Sequence, residues 1–337
     1  FYRLGNAFQN LSTEERILTA LFLCSDTSNK ILEELKPEWN EKILLPLPEK
    51  INLLSVQEEI KEIFPFSNEV SKEIGLQLFN LSFLVQPELY LKIRPGKKEK
   101  VLQRLQSAGV QFALLTDECI QLSNQSKVDE VVNIDEDVII QDYNSQRTIQ
   151  LFENHKPQTT IYKLSAWDCC AASGGKSILF HDRFPSAQLT VSDVRESILI
   201  NLQKRFKRAG IKNYDHFVTD VSSAHFSIQK KFDLVICDAP CSGSGTWSRT
   251  PEQLKFFKKE KIEHYANLQK RIALNASKAV KKNGHFLYIT CSVFEKENEE
   301  VVNFIQTNSA LQLKTMEYLK GYDKKADTLF VALFSTL

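Results

Sequence analysis

The chain has 337 residues, too many for one ordinary core and enough for two or three folding units. Its 43 Lys and Arg nearly cancel 42 Asp and Glu, leaving a formal charge of +1, so the total neither suggests nor forbids a polyanionic partner. The seven cysteines show no spacing that reads as a disulfide framework, and no apolar run reaches the roughly 18 to 20 residues of a spanning helix. Adjacent Cys169 and Cys170, with Cys237, Cys241 and Cys291, suit a reducing compartment, and no basic-then-apolar leader precedes the first helical pattern, so a soluble, cytoplasmic protein is expected.

From Leu11 to about Phe83 apolar residues recur at three and four, as in Ile17, Leu18, Leu21 and Phe22 and again in Leu53, Leu54, Ile60 and Ile63. Ser12-Thr13-Glu14-Glu15 reads as a helix start, and a helical domain is predicted over residues 1–84. The texture changes around Pro87. LYLKIRP reads as a strand, KEKVLQRLQSAG as a helix closed by Gly109, and VQFALL, EVVNI and DVIIQ as strands of a small α+β unit over residues 85–140. After Asn144, short apolar strands alternate with helical patterns, which predicts right-handed crossovers and a parallel sheet within a domain over residues 141–337. Its strands are LSAWD, QLTVSD, HFVTD, DLVICD and HFLYITC. The first four end at Asp168, Asp193, Asp220 and Asp238, and ligands of open α/β sheets bind at the carboxyl ends of strands, so these acids mark one rim. LQLKTMEY and TLFVALF, about a dozen residues apart, read as a closing hairpin.

LSAWD runs directly into CCAASGGKS, where small residues from Ala171 to Gly175 precede a helical pattern. Such a turn lets backbone approach a ligand, with helix N-terminal amides pointing at it. A phosphate cradle would need glycine at the place held by Cys170, and the GxGxxG fingerprint is absent, so neither ATP nor NAD is favoured. Asp193, 25 positions after Asp168, suits the ribose hydroxyls of an adenosine ligand, and Asp220 is placed to reach an adenine. The plainer alternative for each Asp is helix capping.

Two cysteines follow strands on this rim, Cys241 in CDAPCSGSGT and Cys291 in YITCS. Alone, either reads as a small buried hydrophobe. In context, Asp238-Ala239-Pro240-Cys241 leaves a strand into a Gly-Ser loop, where side chains face a cleft. Cytosine C5 is a poor nucleophile toward a sulfonium methyl, so an enzyme acting there first adds a group to C6, and a thiolate is the natural choice. Asp238 is placed for N3 of the base. A second cysteine has a purpose as well, because the adduct must lose its C5 proton and eliminate the first thiol. Zinc is the competing account, but CxxC and paired His are missing.

In that order, CCAASGGK, DAPCSGSGT and TCS resemble the motifs of the Sun/RsmB-type RNA cytosine-C5 methyltransferases. The resemblance covers about Gln141 to the C-terminus, since QDYNSQ also resembles a family element. It implies an α/β, Rossmann-like S-adenosylmethionine-dependent methyltransferase domain preceded by a helical domain and a small α+β RNA-binding unit. The first third is similar to the N-terminal domain of bacterial members that modify small-subunit ribosomal RNA. By resemblance, Cys291 is the nucleophile and Cys241 assists release. S-adenosylmethionine would sit on Cys170, Ala171, Ala172, Ser173, Gly174, Gly175, Lys176, Asp193, Asp220 and Asp238, with Lys176 also touching the target base. RNA is the implied partner, with no metal and no membrane. One departure is Ser173, where the family usually has proline, which loosens the expected turn. DNA cytosine-C5 enzymes use the cysteine after Pro and lack a partner at the later strand, so Cys291 favours RNA.

Two other classes are weighed against this. A non-catalytic RNA-binding ribosome-assembly factor would tolerate loss of either cysteine. An exocyclic-amine methyltransferase would place two prolines and an aromatic where this chain has DAPC. Basic residues cluster at Lys92 to Lys100, Lys204 to Lys212 and Lys255 to Lys282, either to track phosphates or as solvated helix faces. Tyr90 and Phe112 beside the first are candidates for base stacking or for core. The acidic stretches Asp129 to Asp137 and Glu295 to Glu300 are expected to face away from RNA or to order neighbouring loops.

Overall fold

The computed structural model, which describes residues 1–155 and 163–336, begins with short helices. The helix Thr13–Cys24 starts where predicted because Ser12 and Glu15 close a capping box: Ser12 Oγ accepts the Glu15 N–H, and the Glu15 carboxylate accepts the Ser12 N–H at 3.1 Å. Helices Lys30–Leu35, Leu47–Leu54 and Leu76–Ser82 are too short to persist alone. A shared core holds them, in which Phe64 packs on Phe79 and Phe83 and lies 5.6 Å from Trp247 and 5.9 Å from Phe294, ring centre to ring centre. The helical N-terminal region is therefore built onto the loops that follow the two motif cysteines.

A small antiparallel sheet comes next, formed by β1 (Leu89–Ile93), β2 (Phe112–Thr116), β3 (Cys119–Leu122) and β4 (Val138–Ile140) in the order β2-β3-β1-β4. Val101 and Leu105 of the helix Lys98–Ser107 share its core with Leu91, Ile93 and Ile120. EVVNI is not the predicted strand: Val128–Glu130 is a 3-10 turn, and Ile134 touches Val138 only through an isolated bridge. The buried Asp137 gathers the chain into this turn, accepting from Lys100 at 2.8 Å and from Arg104 at 3.1 Å. Conversely CIQL, which carried no prediction, pairs with both β1 and β2.

The same contacts revise the reading of the first basic stretch. Lys92 is buried with Nζ 3.0 Å from Glu118, and Arg94 lies 2.7 Å from Asp182. Tyr90 is buried too, donating its hydroxyl to the Lys324 carbonyl at 2.5 Å, so it is core and not a stacking platform. Phe112 is half-buried against the core of the small sheet. Lys92 and Arg94 are internal fasteners, and Arg205 and the half-exposed Arg208 of the second stretch meet the buried Asp135 at 2.8 and 2.6 Å.

The large sheet has seven strands: β5 (Ser165–Asp168), β6 (Gln188–Asp193), β7 (Tyr214–Val218), β8 (Phe232–Asp238), β9 (Val280–Thr290), β10 (Leu311–Leu319) and β11 (Leu329–Thr336), in the order β10-β11-β9-β8-β5-β6-β7. From β9 to β7 the pairs are parallel, and β11 and β10 add the antiparallel hairpin read from the tail. This is the Rossmann-like methyltransferase architecture that the resemblance implied. The QDYNSQ segment is stapled to the hairpin, since the Asn144 amide donates to the carbonyls of Leu319 and Asp327 at 2.9 and 2.8 Å. The strand order reverses at β5, whose successors lie on one side while β8 lies on the other. In open α/β sheets this switch point opens a crevice at the carboxyl ends of the strands.

Candidate active site

At the switch point β5 ends on Asp168, and the turn that follows is shaped by its own backbone. The Cys169 N–H donates to the Ile236 carbonyl at 3.0 Å, the Ala171 N–H to Ser192 at 2.9 Å, and the Gly174 N–H to Ala171 at 2.8 Å. Gly174 has φ +83°, and a Cβ there would come within 2.8 Å of Phe206, so this position needs glycine twice over. Ala172 is also left-handed, and its N–H is held at 3.1 Å by Asp193 Oδ2. The other oxygen of Asp193 accepts the Arg195 N–H at 2.9 Å. Ser173 is not loose: Arg205 reaches across to its carbonyl at 3.0 Å and its hydroxyl at 3.1 Å. Burial pushes Asp168 up to about 7, although Ser177 donates to it at 2.6 Å.

Lys176, in the first turn of the helix Gly175–Arg183, meets Asp238 at the end of β8, Nζ to Oδ2 2.6 Å. Burial would lower the amine, but Asp238, Cys291 and Asp168 together raise it, so Lys176 stays a cation. Asp220 does not join this group. β7 is an edge strand that ends at Val218, and the exposed Asp220 carboxylate closes a turn on Ser222, accepting its N–H at 2.9 Å and its hydroxyl at 2.6 Å.

Cys241 and Cys291, 50 residues apart, bring their sulfurs to 3.3 Å. β8 and β9 are parallel neighbours, so their carboxyl ends emerge side by side, and the Ala239 N–H continues the ladder to Ile289 at 2.9 Å. The Gly-Ser loop then returns, and the Gly245 N–H donates to the Cys291 carbonyl at 2.9 Å. A Cβ on Gly245 would sit 2.0 Å from the Thr328 carbonyl, so only glycine lets the loop close. Hydrogen bonding to Cys291 and burial push the Cys241 thiol well above its ordinary range.

Sequence reading missed the layer beneath. Ser242, Ser244 and Ser292 join hydroxyls at 3.2 Å, and Glu297, fully buried, accepts from Ser242, Ser292 and Gln269. The acidic stretch Glu295 to Glu300 was the only signal, and it did not say which acid turns inward. Among the described residues no group of three or more His, Cys, Asp or Glu could hold a metal ion, and no helix is long and apolar enough to cross a membrane.

Sheet order and a glycine turn at the switch point define the class of S-adenosylmethionine-dependent methyltransferases. The family model described as 16S rRNA methyltransferase RsmB/F matches residues 156–332, more than half of the chain, and the chain belongs to that family. Ribosomal RNA small subunit methyltransferase B of Xylella fastidiosa is 28% identical over 231 residues, 67% of this chain and 53% of that protein. The same-named protein of Salmonella arizonae is 31% identical over 171 residues, 50% of this chain and 38% of its own length, so the chain spans about half or less of these curated relatives. Among solved structures, NSun6 from Pyrococcus horikoshii with SFG superposes with TM-score 0.67 at 14% identity, covering 83% of this chain and 97% of its own. A methyltransferase homologue from Pyrococcus horikoshii gives 0.63 at 20%, covering 78% and 90%. The residues present fit the family's cofactor, S-adenosylmethionine. Asp193 and small side chains border the turn, and two buried oxygens beside it, Asp168 Oδ1 and Gln141 Oε1, have no partner among the described residues.

Proposed function

We propose that the chain transfers a methyl group from S-adenosylmethionine to C5 of a cytosine in RNA, with small-subunit ribosomal RNA as the substrate. The observation that carries this reading is the pair of sulfurs 3.3 Å apart beside the Lys176–Asp238 ion pair. A binding protein has no use for two thiols in contact at the mouth of a cofactor crevice. Cys170 to Lys176, Asp193 and Asp238 hold the cofactor, and Lys176 also meets the base.

The Cys291 proton passes to Asp238, which Lys176 keeps in place, and on to N3 as the sulfur adds to C6; C5 thereby becomes an enamine carbon. When bound, S-adenosylmethionine supplies the electrophilic methyl group that C5 acquires, leaving as a neutral thioether. The C5 proton then passes to water, the C6–S bond breaks with its electron pair returning to Cys291, and the N3 proton goes back to that sulfur. Cys241 hydrogen-bonds the departing sulfur and assists release. The small α+β unit over residues 85–140 presents RNA to the domain over 141–337. Bisulfite mapping of RNA from cells with and without the protein tests the reading. The expected result is one protected cytosine that disappears with the protein, and an identical pattern in both would refute it.

A further inference from the structure

Glu297 takes no part in the steps above, yet its carboxylate lies fully buried behind the cysteine pair. Oε2 accepts the Ser242 N–H at 2.9 Å and the Gln269 amide at 2.8 Å, and Oε1 accepts the Ser292 hydroxyl at 3.0 Å. Ser242 follows Cys241 and Ser292 follows Cys291, while the Gln269 amide also donates to the Pro240 carbonyl at 2.9 Å. One carboxylate thus fastens the chain beside each sulfur. These partners are dipoles and none is a cation: burial raises the Glu297 carboxyl above its usual range, and the hydrogen bonds from Ser242, Gln269 and Ser292 pull it back toward the carboxylate.

Two sulfurs 3.3 Å apart cannot both ionise, and what surrounds each decides which one does. The Cys291 sulfur is among the groups that raise the Lys176 amine. Cys241 is faced by Cys291 at the end of β9, by Tyr288 of β9, by Tyr265 of the helix Glu260–Ser277, and by Glu297. Of these, Glu297 is the one carboxyl group, the others being a thiol and two phenols. We propose that Glu297 is a positioning residue: it ties the Cys241 loop to the Cys291 turn, and its charge keeps Cys241 a thiol so that Cys291 is the sulfur that ionises. This assignment rests on the methyltransferase reading, and it gives the two cysteines their order from electrostatics.

The test is the pH dependence of iodoacetamide alkylation at Cys241, followed by mass spectrometry in full-length Cys291→Ser protein. Adding Glu297→Gln should lower the half-titration pH by about one to two units, as expected for removing one nearby charge. Glu297→Asp keeps the charge and should stay within about half a unit. A merely structural role would move both variants alike, and an unmoved Glu297→Gln overturns the proposal. Should that variant fail to fold, Cys291→Ser protein with Glu297 intact still decides, because Cys241 titrating at or below the free-thiol value of about 8.5 contradicts it. Wild-type protein that methylates RNA while the variant titration is unmoved sinks the role of Glu297. A moved titration alongside wild-type protein that methylates no RNA sinks the methyltransferase reading instead.

Discussion

The glycine turn and the cysteine pair occupy neighbouring strand ends, β5 on one side of the switch point and β8 with β9 on the other. The turn is continuous in sequence and held by main-chain N–H groups, one strand-end carboxylate and Arg205. The cysteine pair is assembled from segments 50 residues apart, through Gly245, three serine hydroxyls and a buried carboxylate. A site written in one stretch leaves a composition signal. A site assembled across loops depends on contacts that no local pattern carries.

Substitutions can break or sharpen this contrast. The largest effect is expected from Cys291→Ala, which should cut methyl transfer on the order of 10³-fold or more while leaving cofactor affinity, followed by equilibrium binding, nearly unchanged. Equal losses in both would merge the two regions into one unit. Gly245→Ala forces a methyl group against the Thr328 carbonyl and should cost about 3 kcal/mol in denaturant unfolding, with loss of the close sulfur contact. Gly174→Ala brings a Cβ to 2.8 Å from the buried Phe206 ring and adds the cost of a positive φ, so about 2 kcal/mol is expected, with cofactor affinity falling and Cys241 alkylation unaffected. Ser173→Ala removes only an exposed hydroxyl contact with Arg205, while the carbonyl contact remains, and should shift stability by less than about 0.5 kcal/mol. A larger drop would mean that the serine stiffens the turn as proline does elsewhere.

Legibility followed the same division. The alternating strands and helices after Asn144 gave the parallel sheet, since strands buried on both faces must be apolar runs such as FDLVICD. Gly174 and Asp193 could be singled out because turn chemistry and strand ends are local. EVVNI failed as a strand because apolar pattern alone does not register the pull of a buried Asp137 on three cations. For Lys92, Arg94 and Tyr90 the sequence left RNA contact open against a solvated face or core, because it gives charge and ring but not the partner across the fold. Glu297 was hidden for the same reason: it sits among neighbouring acids, and only the tertiary fold turns it inward.

The account depends most on covalent attack by Cys291, with Cys241 needed for release. Full-length Cys241→Ala protein incubated with substrate RNA and S-adenosylmethionine, then run on a denaturing gel, should accumulate a protein–RNA band that disappears when Cys291→Ala is added. A Cys241→Ala protein that turns over at the wild-type rate without such a band, or a band that survives loss of Cys291, would contradict it.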